Sequence, residues 1–351
     1  MLRSEPLEPR SDTVSVHLDV CVTDSCRIGT SDRPFYTVTL LALAQVSRYL
    51  EFVRLAIFCK SYRNDLERFA RLLDSFERNN PEKIAFVVSL PRRDTSLFID
   101  RIGIGRIEYL TDEEILGREM PQSWITQQWV KFYAWRQRFA DAWLVVDSDS
   151  YFIRPLKCSD FIDESGAVAF VGTYRRHVLD DHWGEIRAYL ASEAPSVAST
   201  PVTDTRSGKE LGTIPPLAKV LDRLRKPSSQ DQLARIQRFF GRQGTARWFM
   251  PGPIWTVASL ASLHEQLLQP RGLSFEDLIG YSPWESVWLG EWELYRGLPG
   301  RFLIDPLLLH IYKDTTILHA RNTGLTEAIL SRRYLGLTLA ARHQALESLD
   351  G

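Results

Sequence analysis

The sequence is poor in cysteine, has no long apolar run and carries no excess of charge of either sign. Its 351 residues include four cysteines, Cys21, Cys26, Cys59 and Cys158, and no C-x-x-C pair. That argues against a structural zinc site and suits a reducing compartment. Lys and Arg number 43 against 44 Asp and Glu, a formal net charge of −1. A global basic footprint for nucleic acid is therefore missing. No apolar stretch approaches the ~20 residues that span a bilayer. Met1 to Arg10 holds charges and two prolines but no apolar centre, which is not the pattern of a secretory signal. These absences lead us to expect a cytoplasmic protein, with peripheral contact at the inner membrane face left open. What is present is ordinary globular composition, 44% hydrophobic and 25% charged, at a length that suits one large α/β domain or two smaller ones.

Residues 1–12 read as a disordered lead. From Thr13 to Val22 polar and apolar residues alternate strictly, which predicts a half-buried strand. Residues 1–50 thus read as an extension with one or two strands, which could also serve as an assembly element that pairs with another chain. From Val53 a strand–helix rhythm begins. Apolar runs at Val53 to Cys59, Ile84 to Leu90, Arg106 to Leu110 and Trp143 to Val146 predict strands. Asp65 to Asn79, Thr95 to Arg101 and Gln122 to Phe139 predict helices. Alternating elements of this kind imply an α/β fold, a Rossmann-like, mostly parallel central sheet with helices on both faces. The rhythm breaks after Gly172. Residues of about 175–247 read as a helical insertion or lid, with helices at Leu217 to Leu224 and Gln230 to Phe240. Late helices are expected at Val257 to Leu268, Ser274 to Leu278 and Trp284 to Tyr295, and late strands at Arg301 to Ile304 and Leu307 to Tyr312.

The chemistry concentrates at Leu144-Val145-Val146-Asp147-Ser148-Asp149. Asp-x-Asp alone is common in solvated turns. Here a buried apolar strand delivers it to the carboxyl end of the sheet, where ligands bind in such folds. Residues i and i+2 share a strand face, so both carboxylates would reach one site. Hard cations such as Mn²⁺ or Mg²⁺ prefer oxygen ligands and leave positions open for phosphate. Four further groups are candidates. Gln128 and Lys131, with Gln127 beside them, share a face of the helix before that strand and could meet a hydroxyl and a phosphate. Trp124, Trp129, Phe132 and Trp135 on the same helix read as core. Lys60, Tyr62 and Asp65 lie in the turn after the first strand, where a base could stack on Tyr62, although Asp65 reads equally well as a helix N-cap. Glu291 is a carboxylate that could act as a base or anchor a sugar, beside Glu285, Glu293 and Tyr295. His310 or His319 could complete a metal shell.

The pattern resembles the GT-A type of glycosyltransferase. The resemblance rests on the strand and turn Leu55 to Asp65, on Gln127-Gln128-Trp129-Val130-Lys131, on Leu144 to Asp149 with Phe152-Ile153-Arg154-Pro155, and on Glu291 to Tyr295. More narrowly the chain is similar to little-characterised bacterial glycosyltransferase-like proteins, some from capsule-type loci. Those show Gln-Gln-x-x-Lys, Leu-Asp-x-Asp and Ser-Glu-Tyr segments; here Gly290-Glu291-Trp292 stands in the last place, without the serine. The likeness spans roughly Arg54 to Arg301. It implies a GT-A fold, a nucleotide-sugar donor, Mn²⁺ or Mg²⁺ on Asp147 and Asp149, and a saccharide or glycolipid acceptor. Lys131 and Gln128 would sit near the donor and Glu291 near the donor or acceptor sugar.

Two other readings compete. A metal-dependent nucleotidyltransferase would use similar carboxylates, but it often has a Gly-rich loop after the first strand, and Lys60 to Asp65 contains no glycine. A noncatalytic sugar-binding module on the same fold is the other, and the intact Asp147/Asp149 pair speaks against it.

Overall fold

The computed structural model describes residues 53–163, 168–171, 229–243, 248–249, 252–297, 301–303, 306–311 and 314–339. The chain divides into two units, residues 1–45 and 46–351, and every described residue belongs to the second. The strand at Thr13 to Val22, the assembly role of the extension, Cys21, Cys26 and the helix at Leu217 to Leu224 lie outside the described residues.

The centre is a five-stranded sheet in the order β3-β2-β1-β4-β7. Its strands are β1 (Leu55–Lys60), β2 (Ala85–Leu90), β3 (Glu108–Thr111), β4 (Ala142–Val146) and β7 (Ile254–Thr256). The first four pair in parallel, and β7 runs antiparallel against β4. The α/β class with a mostly parallel sheet, expected from the sequence, is what the structure has. β1 and β4 are short apolar runs because both of their faces are covered. Ala56, Phe58, Trp143 and Val145 point into one core, while Ile57, Cys59, Leu144 and Val146 point into another. That division follows the two-residue period of a strand.

Each face receives helices whose apolar residues recur every three or four positions. On the second face lies α1 (Leu66–Arg78), which buries Phe69, Leu72, Leu73 and Phe76. α2 (Thr95–Ile102) adds Phe98 and Ile102 to the same core. α3 (Asp112–Leu116) is a single turn held by a capping box between Thr111 and Glu114. On the first face lies α4 (Trp124–Tyr133), which buries Val130 and Phe132. Ser123 caps α4, its hydroxyl accepting from the Thr126 N–H at 3.0 Å. The helix is shorter than the sequence suggested, because Ala134–Gln137 tightens into a 3₁₀ turn and Arg138 is left-handed.

After β4 the chain forms β5 (Ser150–Phe152), α5 (Cys158–Phe161) and β6 (Ala169–Val171). Of the expected insertion, the described residues contain α6 (Ser229–Phe239). The remaining elements are α7 (Val257–Ser262), α8 (Phe275–Tyr281), α9 (Glu285–Arg296), β8 (Arg301–Leu303), β9 (Leu308–Ile311), α10 (Asp314–Asn322), α11 (Glu327–Leu330) and β10 (Gly336–Leu339). β5, β10 and β9 form a second sheet, and β6 pairs with β8. The second sheet matters for the site because it holds the chain just beyond β4: the Leu339 N–H donates to the Asp149 carbonyl at 3.0 Å, and Ser150 and Thr338 share a hydroxyl hydrogen bond of 2.8 Å.

Gly290 shows why the serine of the resembled segment is missing. A Cβ at this helical position would overlap the ring of Phe249, which is fully buried. Gly290→Ser is expected to destabilise the protein by about 1–3 kcal/mol, the usual cost of overpacking a filled core. Urea denaturation checks this; an unchanged midpoint would show that the ring moves aside freely.

Candidate functional site

A cleft of about 260 Å³ opens at the carboxyl ends of β1 and β4, close to the size of small-ligand sites in proteins. Four short segments line it. The turn after β1 contributes Lys60, Tyr62 and Asp65; the amino-terminal half of α4 contributes Trp124, Gln127, Gln128 and Lys131. The end of β4 brings Asp147, Ser148 and Asp149, and the start of α9 brings Trp284 and Glu285. Nine of the candidate residues named from the sequence thus meet in one place: Lys60, Tyr62, Asp65, Gln127, Gln128, Lys131, Asp147, Asp149 and Glu285.

Asp147 and Asp149 stand at the carboxyl end of the strand, as expected, but they do not share a strand face as the i, i+2 spacing suggested. β4 ends at Val146, and the two carboxylates stand in a tight turn closed by the Ser150 N–H donating to the Asp147 carbonyl at 3.0 Å. The turn arises because β5 leaves the central sheet to pair with β10. Below it, the Ser148 hydroxyl donates to Ser61 Oγ at 2.9 Å and lies 3.7 Å from Cys59 Sγ. This buried contact ties the turn to the end of β1.

The two carboxylates differ in environment. Lys131 Nζ donates to Asp147 Oδ1 at 3.1 Å and to Glu285 Oε1 at 3.3 Å. The Lys131 charge holds the Asp147 carboxyl below its usual range, against the opposing effect of burial. Burial alone would pull the Lys131 ammonium down, but Asp147 and Glu285 outweigh it and the lysine stays charged. Asp149 has no such cation. Its Oδ1 is buried without a hydrogen-bond partner. Burial, and then the charge of Asp147, push its carboxyl up to about 7. A buried acceptor with nothing to accept from is costly to the fold, and it is the kind of atom a bound cation would satisfy.

The two lysines of the cleft are already engaged. Lys60 Nζ lies 3.1 Å from Asp112 Oδ2, and Ser89 donates to Asp112 Oδ1 at 2.6 Å. Asp65 pairs with Arg68 at 2.8 Å. It makes no side-chain cap to the helix it precedes, so the N-cap role open to it in the sequence is not the one it takes. Burial raises its carboxyl above the ordinary value, and Arg68 opposes that. Four carboxylates, Asp65, Asp147, Asp149 and Glu285, therefore face the cleft, with Lys60 and Lys131 both held by carboxylates. A nucleoside diphosphate alone would meet net negative charge.

Mn²⁺ or Mg²⁺ fits this donor set. Oxygen ligands suit both ions, and Mg²⁺ is commonly held by one or two carboxylates with substrate phosphate and water completing the shell. Among the described residues no group of three His, Cys, Asp or Glu side chains is arranged to hold a metal. Any cation here would depend on its ligand for the rest of its shell.

The other sequence candidates lie elsewhere. Glu291, on α9, is fully buried and pairs with Arg242, which follows α6; it does not line the cleft. Glu285, six residues earlier and buried, is the acidic residue of α9 that reaches the cleft. His310 sits buried on β9 opposite Thr338. It does not line the cleft, although its charge adds to the lowering at Asp147. His319 falls within α10, and its side chain is outside the described part. Trp124, read as core from the sequence, is instead 48% exposed at the cleft. Among the described residues no helix is long and apolar enough to cross a membrane.

No curated protein matches the sequence. Among solved structures, the apo form of WbbM, described as a bifunctional glycosyltransferase, is similar with 11% identity and a TM-score of 0.41. The alignment covers 84% of this chain and 46% of that one, so the chain spans about half the length of that solved protein. A family model, DUF6492, described as a family of unknown function, matches residues 47–226, about half of the sequence: the chain belongs to that family.

Proposed function

We propose that this protein is a metal-dependent glycosyltransferase of the GT-A type, moving a sugar from a nucleotide-diphosphate sugar to a saccharide or glycolipid acceptor. The observation that carries the proposal is the Asp147-Ser148-Asp149 turn at the carboxyl end of a parallel strand, with a buried, unpartnered Asp149 oxygen in a cleft lined by carboxylates. A crevice at the ends of parallel strands is where nucleotides bind in open α/β sheets. Asp147 and Asp149 would hold Mn²⁺ or Mg²⁺. The bound ion supplies a positive charge that offsets the negative charge growing on the diphosphate as the glycosidic bond breaks.

The protein's own groups would then act as follows. Tyr62 flanks the nucleoside in the turn after β1, with Asp65 beside it. Lys131 keeps Asp147 ionised and fixes its rotamer, and Glu285 holds Lys131 from the other side. Ser148 anchors the turn to Ser61, so both carboxylates keep one spacing. Lys60, locked to Asp112, shapes the floor of the cleft. Glu291 retains a place in this reading as the partner that holds Arg242 against α9. His310 adds positive potential near Asp147. His319 would be the further candidate for the metal shell. A cytoplasmic setting, with peripheral contact at the inner membrane face, suits a donor made inside the cell.

The test incubates the protein with Mn²⁺ and UDP-, GDP- and CDP-linked sugars and follows release of the nucleoside diphosphate. Slow metal-dependent release from one donor, even without an acceptor, is the expected result. Release of pyrophosphate from a nucleoside triphosphate and a sugar phosphate, with no turnover of any nucleotide sugar, would replace this reading with nucleotidyl transfer.

A further inference from the structure

The cleft has an aromatic end whose features the nucleotide and metal do not use. Trp124 stands in the first turn of α4 and is 48% exposed. It meets Trp284 edge-on, with ring centroids 5.5 Å apart at 72°. Trp284 is itself braced by Trp248, 4.9 Å away at 87°, and its indole N–H donates to Gln232 on α6. Trp124 thus presents a large aromatic face, half open to water, at the rim of the cleft. It offers a flat wall that needs no rearrangement before binding.

A second observation points to what the wall receives. Gln128, one turn further along α4, is 2% exposed. Its Nε2 donates to the Trp124 carbonyl at 3.1 Å. That bond fixes the amide so that Oε1 is the remaining acceptor, and Oε1 is buried in the cleft wall without a partner. The missing partner is a hydrogen-bond donor. Gln127, half-buried beside it, adds a second amide to the lining. Flat apolar surface next to amide groups matches a pyranose ring, which presents C–H groups on one face and hydroxyls around its edge.

The position separates this end from the nucleotide. Tyr62 and Asp65 lead into α1, which packs on one face of the sheet. The helix α4, which carries Trp124 and Gln128, and α9, which Trp284 immediately precedes, pack on the other. The carboxylates of the β4 turn line the same cleft as both sets. We infer that Trp124, Trp284, Gln127 and Gln128 form the subsite for the acceptor saccharide, with a hydroxyl of the sugar donating to Gln128 Oε1. The acceptor role rests on the glycosyltransferase reading, while the binding of a saccharide rests on the wall and the unpartnered amide oxygen alone.

The test uses the full chain on an array of immobilised oligosaccharides built from hexoses, N-acetylhexosamines and uronic acids, with Mn²⁺ and with UDP or GDP present to fill the donor side. The wild type should retain at least one glycan. Trp124→Ala should lose that retention by about tenfold or more, Trp124→Phe should keep part of it, and Gln128→Leu should weaken it; thermal melting verifies that each variant is folded. Absence of glycan retention by the wild type, or equal retention by a folded Trp124→Ala variant, overturns the inference. Weaker binding of nucleotide sugars than of the bare nucleotide in Trp124→Ala, with no free glycan bound by the wild type, would place the donor's sugar there instead and also overturn it. Failure of the underlying reading shows separately, as absence of any stabilisation of the wild type by UDP or GDP with Mn²⁺.

Discussion

Asp149→Ala is expected to weaken Mn²⁺-dependent binding of a nucleoside diphosphate by about 100-fold or more, without lowering the melting temperature. The size follows from ligand number: groups that merely orient a metal ligand are worth 10–100-fold in affinity, and Asp149 would be one of two direct protein ligands. The absence of a stability cost follows from its surroundings. Its Oδ1 has no hydrogen-bond partner, and burial together with Asp147 disfavours its charged form. In the apo protein, removing such a carboxylate relieves desolvation and like-charge repulsion. Residues that serve ligands at the expense of the fold behave this way. Titration calorimetry and a melting curve on the same samples check both halves. A variant that loses binding and also melts well below the wild type would show that Asp149 is structural.

Lys131→Met should do the opposite and damage the fold. The Lys131 side chain is 6% exposed and that of Glu285 5%. Removing the ammonium leaves Glu285 buried without a cation, which costs about 3–5 kcal/mol in comparable buried pairs. Asp147 suffers less, because its side chain is 42% exposed and water can replace part of the lost interaction. The double variant Lys131→Met/Glu285→Gln removes the buried charge along with its partner and should recover most of the lost stability. Urea midpoints for the two single variants, the double variant and the wild type form a double-mutant cycle. Additive effects would mean that Lys131 and Glu285 do not act as a pair.

The central strands and the first helix were legible in the sequence because their burial is local in its signature. β1, β2 and β4 are covered on both faces and read as apolar runs. In α1, Phe69, Leu72, Leu73 and Phe76 recur at helical spacing. β5 and β10 carry no such signature. They are three and four residues long and pair Ser150 with Thr338 across most of the domain, so nothing near either segment announces the partner. Missing them hid the turn in which Asp147 and Asp149 sit.

Helix α9 is legible as a helix, but the sequence favours Glu291 over Glu285, and it is Glu285 that lines the cleft. Glu285 and Glu291 are six residues apart and face different ways. Only the packing of α9 against α4 and α6 decides which is turned to the cleft. The available signal was that Glu285 occupies the first helical turn, where a carboxylate is favoured by the helix dipole and where ligands approach. Trp124 gave a similar signal. Ser123 marks the helix start, and a first-turn side chain extends beyond the packed face rather than into it.

The central claim is that Asp147 and Asp149 bind a cation that a diphosphate needs in order to enter an otherwise negative cleft. Thermal shift of the wild type and Asp149→Ala with a panel of nucleotide sugars, each with Mn²⁺ and with a chelator, tests it most directly, since a ligand of the native state raises its stability. The account requires a rise with one donor that appears only with Mn²⁺ and disappears in the variant. A rise of equal size in chelator, or one retained by Asp149→Ala, would contradict it.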